Sequence, residues 1–91
     1  MIPEDVRKSE MLIAQKRTLR AKAEDRKNLA YEKMKIGDFT GAKQALMDAR
    51  QYIQEALKKV RVLGERGLSE RTIQDDIETL WRKIILSEKE K

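Results

Sequence analysis

Histidine and cysteine are both absent from this chain, so its reactive chemistry falls to lysine, arginine and the carboxylates. The usual zinc sites, the Ser–His and Cys–His nucleophile pairs and the commonest general base are thereby excluded. Two charged clusters remain. Lys16, Arg17, Arg20, Lys22, Arg26 and Lys27 form a basic stretch relieved only by Glu24 and Asp25. Such a stretch can hold phosphates electrostatically, but no aromatic residue stands within it to stack on bases. Any nucleic-acid contact there would weaken steeply with salt. Asp75, Asp76 and Glu78 concentrate carboxylates, yet consecutive positions on a helix point in different directions, so they read as surface acidity rather than a cation site. The chain is therefore read as non-enzymatic, with no cofactor, no metal and no small-molecule substrate.

Ninety-one residues make one domain, and a chain of this length buries only about 60–65% of the surface its unfolded form exposes. A large internal ligand cavity is not expected. Charged residues are 41% of the chain and the net charge is +5, but the excess is uneven. Residues 1–28 carry eight bases against five acids, and residues 64–91 six against seven. A basic excess confined to the first two thirds permits nucleic-acid binding without demanding it. No apolar run approaches the length of a membrane span or of a signal-peptide core, so a soluble, cytoplasmic protein is expected.

Positioning these charges falls to helices. Ala42, Leu46, Ala49, Ile53, Ala56, Val60 and Leu63 recur at alternating spacings of three and four, and Ala45, Tyr52 and Leu57 widen the stripe enough to face two neighbours. This predicts a central helix over 39–63. Before it, Pro3 with Glu4 and Asp5 opens a long helix running to about residue 36. That helix has a thin apolar face of Val6, Leu12, Ile13, Leu19, Ala23, Ala30 and Met34, with Lys16 and Arg26 interrupting it. Leu29, Ala30, Met34 and Ile36 make its second half the better-buried one. Gly37 stops it and Asp38 caps the next, giving a tight αα-hairpin. Gly64 and Gly67 bracket a short loop. Ser69 is expected to cap a third helix over 69–88, Leu68 to staple onto Ile73, and Glu88 to Lys91 to fray. The predicted fold is all-α, an antiparallel three-helix bundle with a long first helix. Helical rise places residue 63 opposite about residue 12, so the start of the first helix overhangs. In the same register Trp81 falls level with Ala23 and Ala49, as a packing anchor in an alanine layer.

Around the hairpin, Leu29, Ala30, Gly37-Asp38-Phe39, Ala42, Leu46 and Ala49 stand at the spacings of a tetratricopeptide-type turn, which residues 29–49 resemble. Arg26 and Lys33 stand where that motif has its tryptophan and tyrosine, and both helices are longer. The three-helix MIT (microtubule-interacting and trafficking) domain is similar in size and uses the same small-residue hairpin. Both resemblances imply docking of a partner's helix or extended segment between helices. Residues 67–80 resemble the recognition-helix segment of DeoR-type helix-turn-helix regulators. That resemblance implies that Ser69, Arg71, Thr72 and Gln74 approach phosphates and base edges in the major groove. Asp75 stands where those proteins hold arginine. Small three-helical enzymes of the chorismate mutase kind share a long first helix, but their arginine and lysine pattern is not matched.

Met11, Met47, Val62, Ile85 and Leu86 fall off their stripes, and a cluster of such side chains marks a partner surface. The expected function is a non-enzymatic interaction module that docks a partner segment between the first and third helices or self-associates through the start of the first. The competing reading is a DNA- or RNA-binding protein using the third helix, or the first through Lys16, Arg17, Arg20, Arg26 and Lys27.

Overall fold

The computed structural model describes residues 4–90, with side chains from Val6 onward, as three helices: α1 (Glu4–Lys35), α2 (Phe39–Leu63) and α3 (Leu68–Lys89). Among the described residues there is no strand, and no helix is long and apolar enough to cross a membrane. Pro3, expected to open the first helix, and Lys91 lie outside the described residues. Of the residues expected to fray, Glu88 and Lys89 instead remain helical, with Glu88 held by Lys43 at 2.7 Å.

The turn between α1 and α2 forms because Gly37 takes φ 80°, a left-handed conformation open to glycine at little cost. Its N–H donates to the Met34 carbonyl at 3.1 Å, and the Asp38 N–H reaches back to the Lys33 carbonyl at 2.9 Å. These two bonds satisfy carbonyls that the helix end would otherwise leave bare. The Asp38 carboxylate then accepts the Gly41 N–H at 3.0 Å and caps α2. The same pair of bonds closes α2, where the N–H groups of Gly64 and Glu65 donate to Arg61 and Val60.

The start of α3 departs from expectation. Gly67, at φ 66°, takes the cap position without a side-chain hydrogen bond, and its carbonyl accepts the Arg71 N–H at 2.9 Å. A Cβ on Gly67 would lie 2.6 Å from Val60 Cγ1, so the loop is drawn tightly onto α2. Helix therefore begins one residue early. Ser69 falls inside the first turn and caps nothing, while Leu68, 69% exposed, does not staple onto the buried Ile73.

Ala42, Ala45, Leu46, Ala49, Ile53, Ala56 and Val60 of α2 are buried, flanked by half-buried Tyr52, Leu57 and Leu63. Ala23 and Ala30 of α1 join this core completely, with Leu19 and Met34 packed at its edge. Facing alanines let two helices approach closely, and α1 packs along α2 far more extensively than along α3. Leu29 and Ile36 are exposed, so the second half of α1 is buried through its alanines rather than through its larger side chains. From α3 the core takes Ile73, Ile77, Leu80 and Ile84. Trp81 packs against the core cluster that holds Ala23 and Ala49, as expected, but is only half-buried. Leu80 and Ile84 occupy the inward positions, and the indole packs half-buried against the flank of the core.

The third face of α1 is charged. Lys16 meets Glu65 at 2.8 Å, Arg20 meets Glu70 at 3.7 Å, and Lys27 meets Asp76 at 3.6 Å. These cations share a stripe with Ala23, Ala30 and Met34 at helical spacing. The acidic last third of the chain is thus the internal counterpart of the basic first helix. Lys16 also fixes the overhang. Its partner lies in the loop beyond α2, so the part of α1 before about residue 12 runs past the end of its neighbour. Residues 6–11 are all exposed.

Candidate functional site

The expected docking seam between α1 and α3 is bridged by Arg20–Glu70 and Lys27–Asp76. The Lys16 side chain is only 11% exposed and held by Glu65. Three of the five cations singled out in α1 for nucleic acid are thus engaged by carboxylates, which lowers the positive field they can offer a phosphate. Arg17 and Arg26 remain exposed, the latter beside a shallow depression lined by Lys22, Asp25, Leu29 and Tyr52.

The open groove of interest runs between the outer flanks of α2 and α3. Two ion pairs set its register: Lys43–Glu88 and Arg50–Glu78, each 2.7 Å. They hold the helices antiparallel, so Met47 of α2 comes level with Ile85 and Trp81 of α3. Met47 is exposed, Ile85 and Trp81 half-buried. Arg50 does two jobs. Its guanidinium carbon lies 5.5 Å from the centre of the Trp81 ring while a terminal nitrogen holds Glu78. A cation over an indole face fixes the ring on the groove wall.

Further along, Gln54 and Gln74 line the groove with Leu57, Lys58 and Arg61. Beyond them it widens against Val60, Arg71, Asp75 and Glu65. Among the described residues no ion pair reaches Lys58, Arg61 or Arg71. The groove lining is therefore mixed, with Leu57 and Val60 beneath Lys58, Arg61 and Arg71, and with the carboxylates of Asp75 and Glu65, the latter held by Lys16. Met47, Trp81 and Ile85 lie on the helix flanks beyond it. Such a trough suits an amphipathic anionic segment.

Of the residues drawn from the helix-turn-helix resemblance, Arg71 and Gln74 line this groove, whereas Ser69 and Thr72 lie exposed on another face. The Thr72 hydroxyl donates to the Leu68 carbonyl at 2.9 Å. The α3 helix runs antiparallel beside α2, where a helix-turn-helix pair crosses at roughly 90–120°. The five off-stripe apolar residues also separate. Met47 and Ile85 lie on the flanks of α2 and α3 beyond the groove lining, Met11 and Val62 at the overhang end of the molecule, and Leu86 is exposed on the outer face of α3.

Sequence reasoning did not single out Arg50, Gln54, Leu57, Lys58 or Arg61 as groove residues. Their signal was the stripe beside the core stripe, with Lys43, Met47, Arg50, Gln54 and Arg61 at spacings of three to seven. Its meaning depends on the opposing stripe of Glu88, Ile85, Trp81, Glu78, Gln74 and Arg71. No family model, curated protein or solved structure matches the chain.

Proposed function

We propose that the protein is a non-enzymatic helical interaction module of the cytoplasm that docks an acidic, amphipathic segment of a partner protein in the groove between α2 and α3. The observation that carries this reading is the composition of that groove. Its lining sets Leu57 and Val60 beneath Lys58, Arg61 and Arg71, which make no ion pair among the described residues. These cations outnumber the one carboxylate there, Asp75, that is not held by a lysine, while Met47, Trp81 and Ile85 flank the groove further along the same helices. Apolar anchors supply the affinity of such a contact, and unpaired charges its selectivity and speed of encounter. The absence of any aromatic beside Arg61 and Arg71 in the groove lining favours a peptide over single-stranded nucleic acid, which needs stacking platforms.

Trp81 is the only tryptophan in the chain, so its fluorescence reports directly on this groove. Titration with a synthetic peptide that alternates leucine and glutamate is expected to shift the Trp81 emission. The double change Arg61→Glu, Arg71→Glu is expected to weaken that binding by about tenfold or more, two unpaired charges being reversed. No spectral change at millimolar peptide overturns the reading. So does tight binding of duplex DNA that falls steeply with salt and is lost on neutralising Arg17 and Arg26, which moves the protein to the nucleic-acid class.

A further inference from the structure

Residues 6–11 of the α1 overhang are exposed among the described residues, and an open groove with matching charges lies immediately behind them. Ala14, Gln15, Thr18 and Leu19 of α1 form one wall and floor of that groove, and Glu55 and Lys59 of α2 form the other wall. At its mouth stand Met11, 61% exposed, and Val62, 73% exposed, one helical turn on from Ala14 and from Lys59. Arg7, Glu10, Glu55 and Lys59 make no ion pair among the described residues.

We propose that the occupant of this groove is the overhang of a second copy of the chain, the two copies exchanging overhangs about a two-fold axis beside Met11 and Ala14. An isologous contact requires a surface complementary to itself, and an antiparallel pairing of the two α1 helices meets that requirement. Setting Met11 of one copy on Ala14 of the other places a large side chain on a small one, twice by symmetry. The same register carries Arg7 to the level of Thr18 and Glu55 in the second copy, and Glu10 to the level of Gln15 and Lys59. Arg7 and Lys59 are thus each brought to the level of a carboxylate of the other copy. A parallel pairing sets each residue beside its own copy, Arg7 beside Arg7 and Glu10 beside Glu10, and a slip of one helical turn sets Arg7 beside Lys59. The contact spans residues 7–18 and is small, so the dimer is weak and its population depends on concentration.

The chain contains no cysteine, which makes the register directly testable. Met11→Cys and Ala14→Cys proteins, mixed and oxidised, are expected to form a heterodisulfide in preference to either homodisulfide. Met47→Cys, on the other side of the bundle, gives none. In sedimentation equilibrium, Arg7→Glu is expected to raise the dimer dissociation constant about tenfold, because two symmetry-related pairs turn repulsive. Adding Glu55→Arg to that variant restores it. A chain that stays monomeric at millimolar concentration, cross-linking that ignores position, or failure of Glu55→Arg to rescue each overturns the proposal. Peptide binding in the α2–α3 groove is expected to be the same in Arg7→Glu and in the unaltered chain, so the two readings stand or fall separately.

Discussion

Two seams hold α1 in the bundle, and they are built from opposite materials. Against α2 the helix offers Ala23 and Ala30, fully buried beside Ala42, Ala49 and Ala56. Against α3 and the loop before it, the stripe that carries these alanines is interrupted by Lys16, Arg20 and Lys27, which are answered by Glu65 of the loop and by Glu70 and Asp76 of α3. Facing alanines bring backbones together, so a small change of volume is felt at once. Long charged side chains hold helices further apart and tolerate adjustment. The alanine seam supplies the stability. The charged seam fixes where α3 lies along α1, and thus which residues of α3 line the groove against α2.

The sharpest way to break this contrast is to open a hole in the core face of α2. Ile53 is fully buried, and Ile53→Ala is expected to cost about 2–5 kcal/mol, a large share of what a small domain has. Urea denaturation followed by Trp81 fluorescence measures it. A loss below about 1 kcal/mol would mean that α2 can shift to fill the space and that the alanine seam is not close-packed. Overfilling tests the same seam from the other side. Ala49→Leu is expected to cost about 1–3 kcal/mol, since the added carbons have no void to enter.

A smaller effect is expected at Trp81. Complete burial of a tryptophan would make truncation cost about 3–5 kcal/mol, but this ring keeps one flank toward solvent beneath Arg50, and about 2 kcal/mol is expected for Trp81→Ala. Far-UV circular dichroism during thermal unfolding reads it without the lost fluorophore. A cost as large as that of Ile53→Ala would place the ring within the core and remove it from the groove wall.

The α2 stripe was legible in the sequence because its period is unbroken from Ala42 to Val60, and a period settles burial without reference to any other element. Gly37 and Asp38 were legible for a related reason, since a helix stop and a cap are local chemistry. The start of α3 was not. Ser69 has the right residue type and spacing for a cap, but contact between Gly67 and Val60, in a different helix, decides where the helix begins. Trp81 was legible as a packing residue but not in its half-exposure, because side-chain size alone cannot say which of two adjacent positions, Leu80 or Trp81, points fully inward. The basic stretch of α1 read as a solvated face able to hold phosphates, and the carboxylates that engage three of its cations sit some fifty residues away. Only folding shows that Lys16, Arg20 and Lys27 share a face with Glu65 of the loop and with Glu70 and Asp76 of α3.

The charged seam itself is expected to give the smallest change, and an unequal one. Glu70 is buried, its side chain 4% exposed, and its Oε1 lacks a hydrogen-bond partner, with Arg20 at 3.7 Å and more than a third exposed. Removing only the cation leaves a carboxylate in the interior with less to offset its lost hydration. Arg20→Met is therefore expected to cost about 1 kcal/mol, well short of a fully buried pair because water already screens the guanidinium. Removing both charges also removes the desolvation penalty, so Arg20→Met with Glu70→Leu is expected to stay within about 0.5 kcal/mol of the unaltered chain, or to gain. The double variant losing more than about 2 kcal/mol would show that this pair is a main source of stability and that the division of labour between the seams is wrong. If stability instead holds while Trp81 emission changes, α3 has slid along α1. That outcome would tie the charged seam directly to the shape of the docking groove.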